Sequence, residues 1–286
     1  MVASTQNFHS MDAEAATGPE EGTVERWAFD YIRTLDLEHK CRPPESPSRF
    51  EGGVVGLRLS RPGRPAALKV VMKAPRSLRE RDLCHPRWRA RQVHTFLHHE
   101  LQAAELMCWA ILAFPDTPTA FRHGLLAIAL DEIRHLAMYR GHLEVLGFHY
   151  GDFNVRDWFW QRVPQVTTPA QFVAVMGIGL EGGNLDHTRR FARSFRAAGD
   201  EAAARITQIV GAEEVAHVRF AVRWFRELTG GLDFESWASH LPEPLSPLMM
   251  RGRPMATDLR RRANLPDEFL ERLQAFEAAR SPPAPD

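Results

Sequence analysis

Glu-x-x-His occurs twice, as Glu132-Ile-Arg-His135 and Glu214-Val-Ala-His217. Residues three apart share one face of a helix, so each tetrapeptide offers a carboxylate and an imidazole side by side. A lone glutamate leads each pair: Glu100 lies 32 residues before Glu132, and Glu181 lies 33 before Glu214. Four carboxylates and two imidazoles arranged in this doubled way are the ligand set of a carboxylate-bridged two-metal site inside a four-helix bundle. Hard carboxylates with imidazole suit two iron ions, with manganese, a mixed manganese–iron pair or zinc as alternatives.

Helical phase places these groups toward a core. Glu132 falls at the centre of a stripe that includes Phe121, Leu125, Ala129, Leu136 and Tyr139, with His135 at its edge. His217 falls mid-stripe among Ile206, Val210, Ala221, Trp224 and Leu228, flanked by Glu213 and Glu214. Glu100 sits inside the apolar arc from Phe96 to Met107, and Glu105 at its margin. Burying one bare carboxylate costs several kcal/mol, and four together also repel. A pair of divalent cations removes both objections.

Three further acids could support a ligand or add one: Glu105, Glu213 and Asp186. Glu105 rivals Glu100 but breaks the matched spacing. Glu213 rivals Glu214 but makes no i, i+3 pair with His217. Asp186 could orient a ligand histidine. Asp131 points off the stripe and reads as solvated, and His98, His99 and His187 read as non-ligands. Gly177, Gly179, Gly182 and Gly183 crowd the helix around Glu181. They imply close helix packing, or room beside the metals through a local π-bulge. Trp158, Phe159 and Trp160 read as packing more than as a substrate wall.

The elements that must position these groups follow from the breaks. From about residue 86 to 230 the pattern is helical, interrupted at PDTP (115–118), GDFN near 151, TTPAQ near 168 and AAGD (197–200). PDTP begins 15 residues after Glu100 and ends 14 before Glu132, while AAGD begins 16 after Glu181 and ends 14 before Glu214. At about 1.5 Å per residue the arms of each hairpin are equal, so the glutamates return to one level. The longer stretch from His135 to Glu181 implies one long crossover between two antiparallel hairpins. The fold expected is all-α: a four-helix bundle over 86–230, with extensions at 23–85 and 231–286 and a disordered tail at 1–22. The first extension reads as a helix over 23–36 followed by short extended pieces around a turn. The second carries an Arg-rich stretch, read as a solvated or capping segment, and a terminal helix over 266–280.

Bulk properties narrow the classes. Lys+Arg and Asp+Glu are equal at 36 each, which gives no general attraction to nucleic acid or anionic membrane. Three scattered cysteines make no disulfide framework or zinc ribbon. With no apolar leader or 18-residue apolar run, a soluble cytoplasmic protein is expected.

The stretches HHELQAAEL, DEIRHLAMY, GLEGGNLD and EEVAHVRF, with flanks TVERWAFDYIRTLDLEHK and RGRPMATDLRRRANLPDEF, resemble the ferritin-like superfamily. They look most similar to a bacterial ferritin-like domain family of unknown function, over roughly residues 23–275. The resemblance implies a ferritin-like bundle with Glu100, Glu132, His135, Glu181, Glu214 and His217 at the superfamily's ligand positions. The two glycines after Glu181 depart from the usual pattern there. Superfamily relatives include ferroxidases, peroxidases, tRNA hydroxylases and oxygenases. The expectation is a di-iron oxygenase or oxidase that uses O2 on a small-molecule substrate. It would take electrons from a separate reductase, and a homodimer would be compatible with it. Iron handling, tRNA hydroxylation and a metal-free helical scaffold are the alternatives.

Overall fold

A computed structural model describes residues 18–73 and 78–277. Most of the expected tail (1–17) and the end of the expected terminal helix (278–280) lie outside the described residues. Residues 18–22 are tied down: Arg49 Nη2 donates to Glu20 Oε1 at 2.8 Å, and Gly18 packs on Phe29.

Helix α1 spans Val24–Arg33, where the Thr23 hydroxyl caps the free N–H of Arg26 at 3.1 Å. A short α2 follows at Leu37–Cys41, capped by Asp36. The extended pieces expected after it do not form strands. Among the described residues there is one isolated parallel bridge, Val70 to Val155, and no strand. Prolines 62 and 65 and the Gly52-Gly53 pair break any ladder. The segment instead wraps the bundle, with Leu57 N–H on the Leu112 carbonyl at 2.9 Å and Gly63 N–H on that of Ile32 at 2.8 Å.

The two hairpins form where the spacing placed them. The first pairs α3 (Pro86–Ala113) with α4 (Thr119–Val145), reversing at PDTP. The second pairs a rod over residues 169–197 with α7 (Glu201–Thr229), reversing at AAGD. Asp200 caps α7 by accepting from Ala203 N–H at 2.9 Å, and Gly230 ends it in the left-handed region (φ 84°). Helices α4 and α7 pack antiparallel: Phe121 lies against Trp224, and Gly124 against Phe220. Helix α3 meets the second hairpin through Phe96, edge-on to Phe191 at 4.9 Å between centroids. On α7, Leu228 departs from the expected stripe; it is 37 % exposed at the frayed end.

The rod is three pieces: α5 (Pro169–Phe172), a π-helical stretch (Val173–Glu181) and α6 (Gly182–Ala197). Its glycines let neighbours in. A Cβ on Gly177 would lie 2.2 Å from that of Ala221, and one on Gly179 would lie 2.7 Å from the Met250 sulfur. Widening a helix disturbs its carbonyl pairing, and the buried Trp237 indole N–H donates to the Ala174 carbonyl at 3.0 Å. The long crossover, residues 146–168, climbs along α3. Gly151 N–H bonds His94, Phe159 N–H bonds Gln102, and the Trp160 indole bonds Glu105. The C-terminal extension returns over the rod through α8 (Phe234–Ser239), α9 (Thr257–Arg262) and α10 (Asp267–Ala275). No helix among the described residues is long and apolar enough to cross a membrane.

Candidate metal centre

Matched arms bring the six expected ligands into one buried layer. Glu132, His135 and Glu214 are wholly inaccessible, and Glu100, Glu181 and His217 are at most 5 % exposed. One ligand atom each from Glu100, Glu132, His135 and Glu214 lie within 4.8 Å of one another. His135 Nδ1 is 3.2 Å from Glu132 Oε2 and 4.0 Å from Glu100 Oε2. His217 Nδ1 is 2.9 Å from Glu214 Oε2 and 3.0 Å from Glu132 Oε1. Glu132 therefore faces both imidazoles, Glu100 lies on the His135 side, and Glu181 couples to Glu214 and His217.

Both rings turn Nδ1 inward and Nε2 outward, and the outer nitrogens are held across the helix pair. Glu213 on α7 holds His135 Nε2 at 2.7 Å, while Asp131 on α4 holds His217 Nε2 at 3.3 Å. Arg134 joins the two acids, at 2.6 Å from Glu213 Oε2 and 3.0 Å from Asp131 Oδ1. Such outer partners fix the ring orientation and point the inner nitrogen at the carboxylates. Glu213 thus meets the outer nitrogen of His135, on the side away from the other carboxylates. Asp131, expected in solvent, is half exposed yet does the same for His217. The signal was present in the chain: an acid precedes both tetrapeptides, as Asp131-Glu132 and Glu213-Glu214. Asn184, one turn beyond Glu181, donates to Glu214 Oε1 at 3.0 Å.

The electrostatics are those of a cluster that wants cations. Burial, then Glu132 and the other carboxylates, push Glu100 well above its ordinary value. Burial, then Glu214 and Glu132, do the same to Glu181. Burial alone would depress His135, but Glu132, Glu214 and Glu213 reverse this and lift it to about 9. The buried Oε1 of Glu181 has no hydrogen-bond donor. A bare acceptor inside a protein costs stability unless something fills it. The donor set and this oxygen fit a pair of hard divalent ions.

Other candidates lie elsewhere. Glu105 is not at the centre; it is wholly buried under Lys40 Nζ (2.7 Å), the Arg64 guanidinium (2.6 and 2.8 Å) and the Trp160 indole (2.7 Å). Five residues past Glu100, it has turned to the α1 and crossover side of α3. Asp186 does not orient a histidine. It binds Arg260 at 2.8 Å and accepts from the backbone of Gly252 (2.8 Å) and Ala256 (2.6 Å). Arg260, read from its Arg-rich segment as solvated or capping, is thus fully buried and fastens the C-terminal extension to α6. His98 bonds the Tyr150 hydroxyl at 2.7 Å and Asp157 at 3.0 Å.

A cavity of about 490 Å³ lies between α3, the crossover and α6, and its floor includes Glu100 and Glu181. Trp158 and Phe159 line it, so these two are wall residues as well as packing, whereas Trp160 is the one turned to Glu105. His99 and His187 line it too. Burial, then the neighbouring His98 and His187, hold His99 down at about 3, so it is neutral at physiological pH.

No solved structure matches the chain. It is similar to an uncharacterized protein of Haemophilus influenzae, 26% identical over 175 residues, which cover 58% of this chain and 61% of that relative. The chain thus spans about three fifths of that relative's length. A family model described as "Protein of unknown function (DUF455)" matches residues 24–271, and the chain belongs to that family.

Proposed function

We propose that this chain is a non-haem di-iron oxidase or oxygenase built on a ferritin-like bundle, acting on a small molecule in the cavity over Glu100 and Glu181. The observation that carries it is the buried layer of four glutamates and two histidines, whose inward nitrogens and carboxylate oxygens converge. A storage protein needs no cavity of about 490 Å³ on its terminal ligands, and this favours an enzyme over iron handling.

Glu100, Glu132, His135, Glu181, Glu214 and His217 would hold the two ions. Bound iron would supply dioxygen activation and the oxidising power. The chain's own groups do the rest. Asp131 and Glu213 hold each Nε2–H so that Nδ1 can coordinate. Asn184 aims one oxygen of Glu214. The cavity lies against Glu100 and Glu181, so a substrate would approach from the α3–α6 side. Electrons would come from a separate reductase in the cytoplasm.

Reconstitution with ferrous iron followed by elemental analysis tests this. The expected result is about two ions per chain, lost in the double variant Glu132→Ala, Glu214→Ala. Fewer than about one ion per chain, or undiminished loading of the double variant, would falsify it.

A further inference from the structure

The cavity walls carry charges that metal binding does not need. Among the described residues its acids are Glu100 and Glu181, whereas Arg91, Arg156 and Arg190 also line it. Arg156 is the telling one. Its backbone is fixed on both sides: Val155 exchanges hydrogen bonds with the 69–71 segment (3.0 and 2.8 Å), and Asp157 is clasped by Arg64 at 2.9 Å. Gln102 donates to the Arg156 carbonyl at 3.2 Å. Yet its side chain meets no carboxylate among the described residues, and its Nε is buried with no acceptor. Arg190, on α6 one turn beyond His187, also meets no carboxylate there and lies 4.7 Å from the centre of the Phe191 ring.

A guanidinium held on anchored backbone, partly buried and left without an acceptor, is built for a ligand oxygen. The lining is also aromatic: Phe96, Phe159 and Phe191, with Trp158. The imidazoles of His99 and His187 complete it. We propose that the substrate is a small organic anion with an apolar body. Its carboxylate or phosphate is bound by Arg156 and Arg190, and its body lies against the phenylalanines. This rests on the di-metal reading for one point alone, that the far end of the molecule is the one that reacts near Glu100 and Glu181. The volume suits a molecule of ordinary drug size.

The test is binding, read separately from metal content. Chelator-treated and iron-loaded full-length protein are titrated with 2-naphthoate, phenyl phosphate, 2-naphthylmethanol and benzylamine. Calorimetry and the fluorescence of Trp158 (compared with Trp158→Phe) report occupancy. We expect the two anions to bind in both forms and more weakly at high salt, with the alcohol and the amine at least tenfold weaker. Arg156→Gln and Arg190→Gln should each lower anion affinity about tenfold or more, and Arg156→Lys should recover part of it. Equal binding of the alcohol or the amine overturns the proposal. So does anion binding unchanged in Arg156→Gln, Arg190→Gln together, or no saturable anion binding at millimolar concentration. If iron fails to bind while the anions still do, the di-metal reading fails and the anion site stands. If iron loads normally and the anions are not preferred, the anion site alone fails.

Discussion

Glutamine in place of Glu105 separates a structural carboxylate from a coordinating one. Glu105 is wholly buried and serves as counter-ion to Lys40, also wholly buried, and to Arg64, 12 % exposed. Burial alone would raise its ionisation; Arg64 and Lys40 reverse this and hold it below the usual carboxylate range. The amide would remove the charge and aim an N–H₂ at a cation. Arg64 keeps Asp157 at 2.9 Å, but Lys40 keeps only the Tyr31 and Ile32 carbonyls at 2.6 and 2.8 Å. Breaking a buried pair from one side costs about 3–5 kcal/mol. At about 2–4 °C per kcal/mol for a chain of this size, the melting temperature should fall by roughly 10 °C. Iron loading of the folded variant should stay at the wild-type level, because Glu105 touches none of the six ligands. The double variant Lys40→Met, Glu105→Leu should recover most of the lost stability, since it removes both charges together. Urea unfolding midpoints and iron stoichiometry of the three proteins decide the matter. The reasoning is wrong if Glu105→Gln unfolds at the wild-type midpoint, or if it stays folded and loses iron.

Asp131→Asn and Glu213→Gln should each weaken metal affinity about 10–100-fold while sparing the fold, measured by competition with a chelator. Chelator-treated protein should lose stability from pH 6.5 to about 9, on the order of 3 kcal/mol from His135. The folded state raises His135 from its ordinary value to about 9, so its stabilisation is full below pH 6.5 and is gone above 9. Glu100 and Glu181, also raised, act in the same direction, and a flat or rising melting temperature would contradict this. Asp186→Asn should unclasp Arg260 and the backbone of Gly252 and Ala256, so that limited proteolysis cuts residues 247–262 well before the bundle. Gly177→Ala should cost about 1–3 kcal/mol by thermal melting, because its Cβ would lie 2.2 Å from that of Ala221.

The bundle and the buried Glu/His cluster were legible because both are local. Helical period, two turns and the i, i+3 pairs fix depth and facing without knowledge of distant contacts, and Glu100 was separable from Glu105 by spacing alone. What escaped was set by partners far along the chain. Asp131 has the helical phase of a surface residue, and only the approach of α7 gives it His217. Asp186 lies in a ligand-rich stretch, yet its partner is 74 residues away in a segment that looked like a solvated charge cluster. Residues 51–72 have strand-like composition but are held by α1, α3 and the crossover, with no neighbouring strand to pair with. The aromatic run packs as expected, but not on one face. Adjacent residues on irregular backbone face different neighbours, so Trp158 and Phe159 reach the cavity while Trp160 reaches Glu105.

The π-helical stretch Val173–Glu181 makes the chain length upstream of Glu181 a matter of angle. A π turn holds one residue more than an α turn, so the stretch contains slack that ordinary winding would not tolerate. Deleting one residue between 174 and 179 would take up that slack as the rod rewinds to plain α-helix, so Glu181 and Asn184 would keep much of their facing toward the cluster. The same deletion in an α-helical rod would swing everything after it about 100° around the axis. The stretch therefore tolerates a deletion better than an α-helical stretch of the same length would.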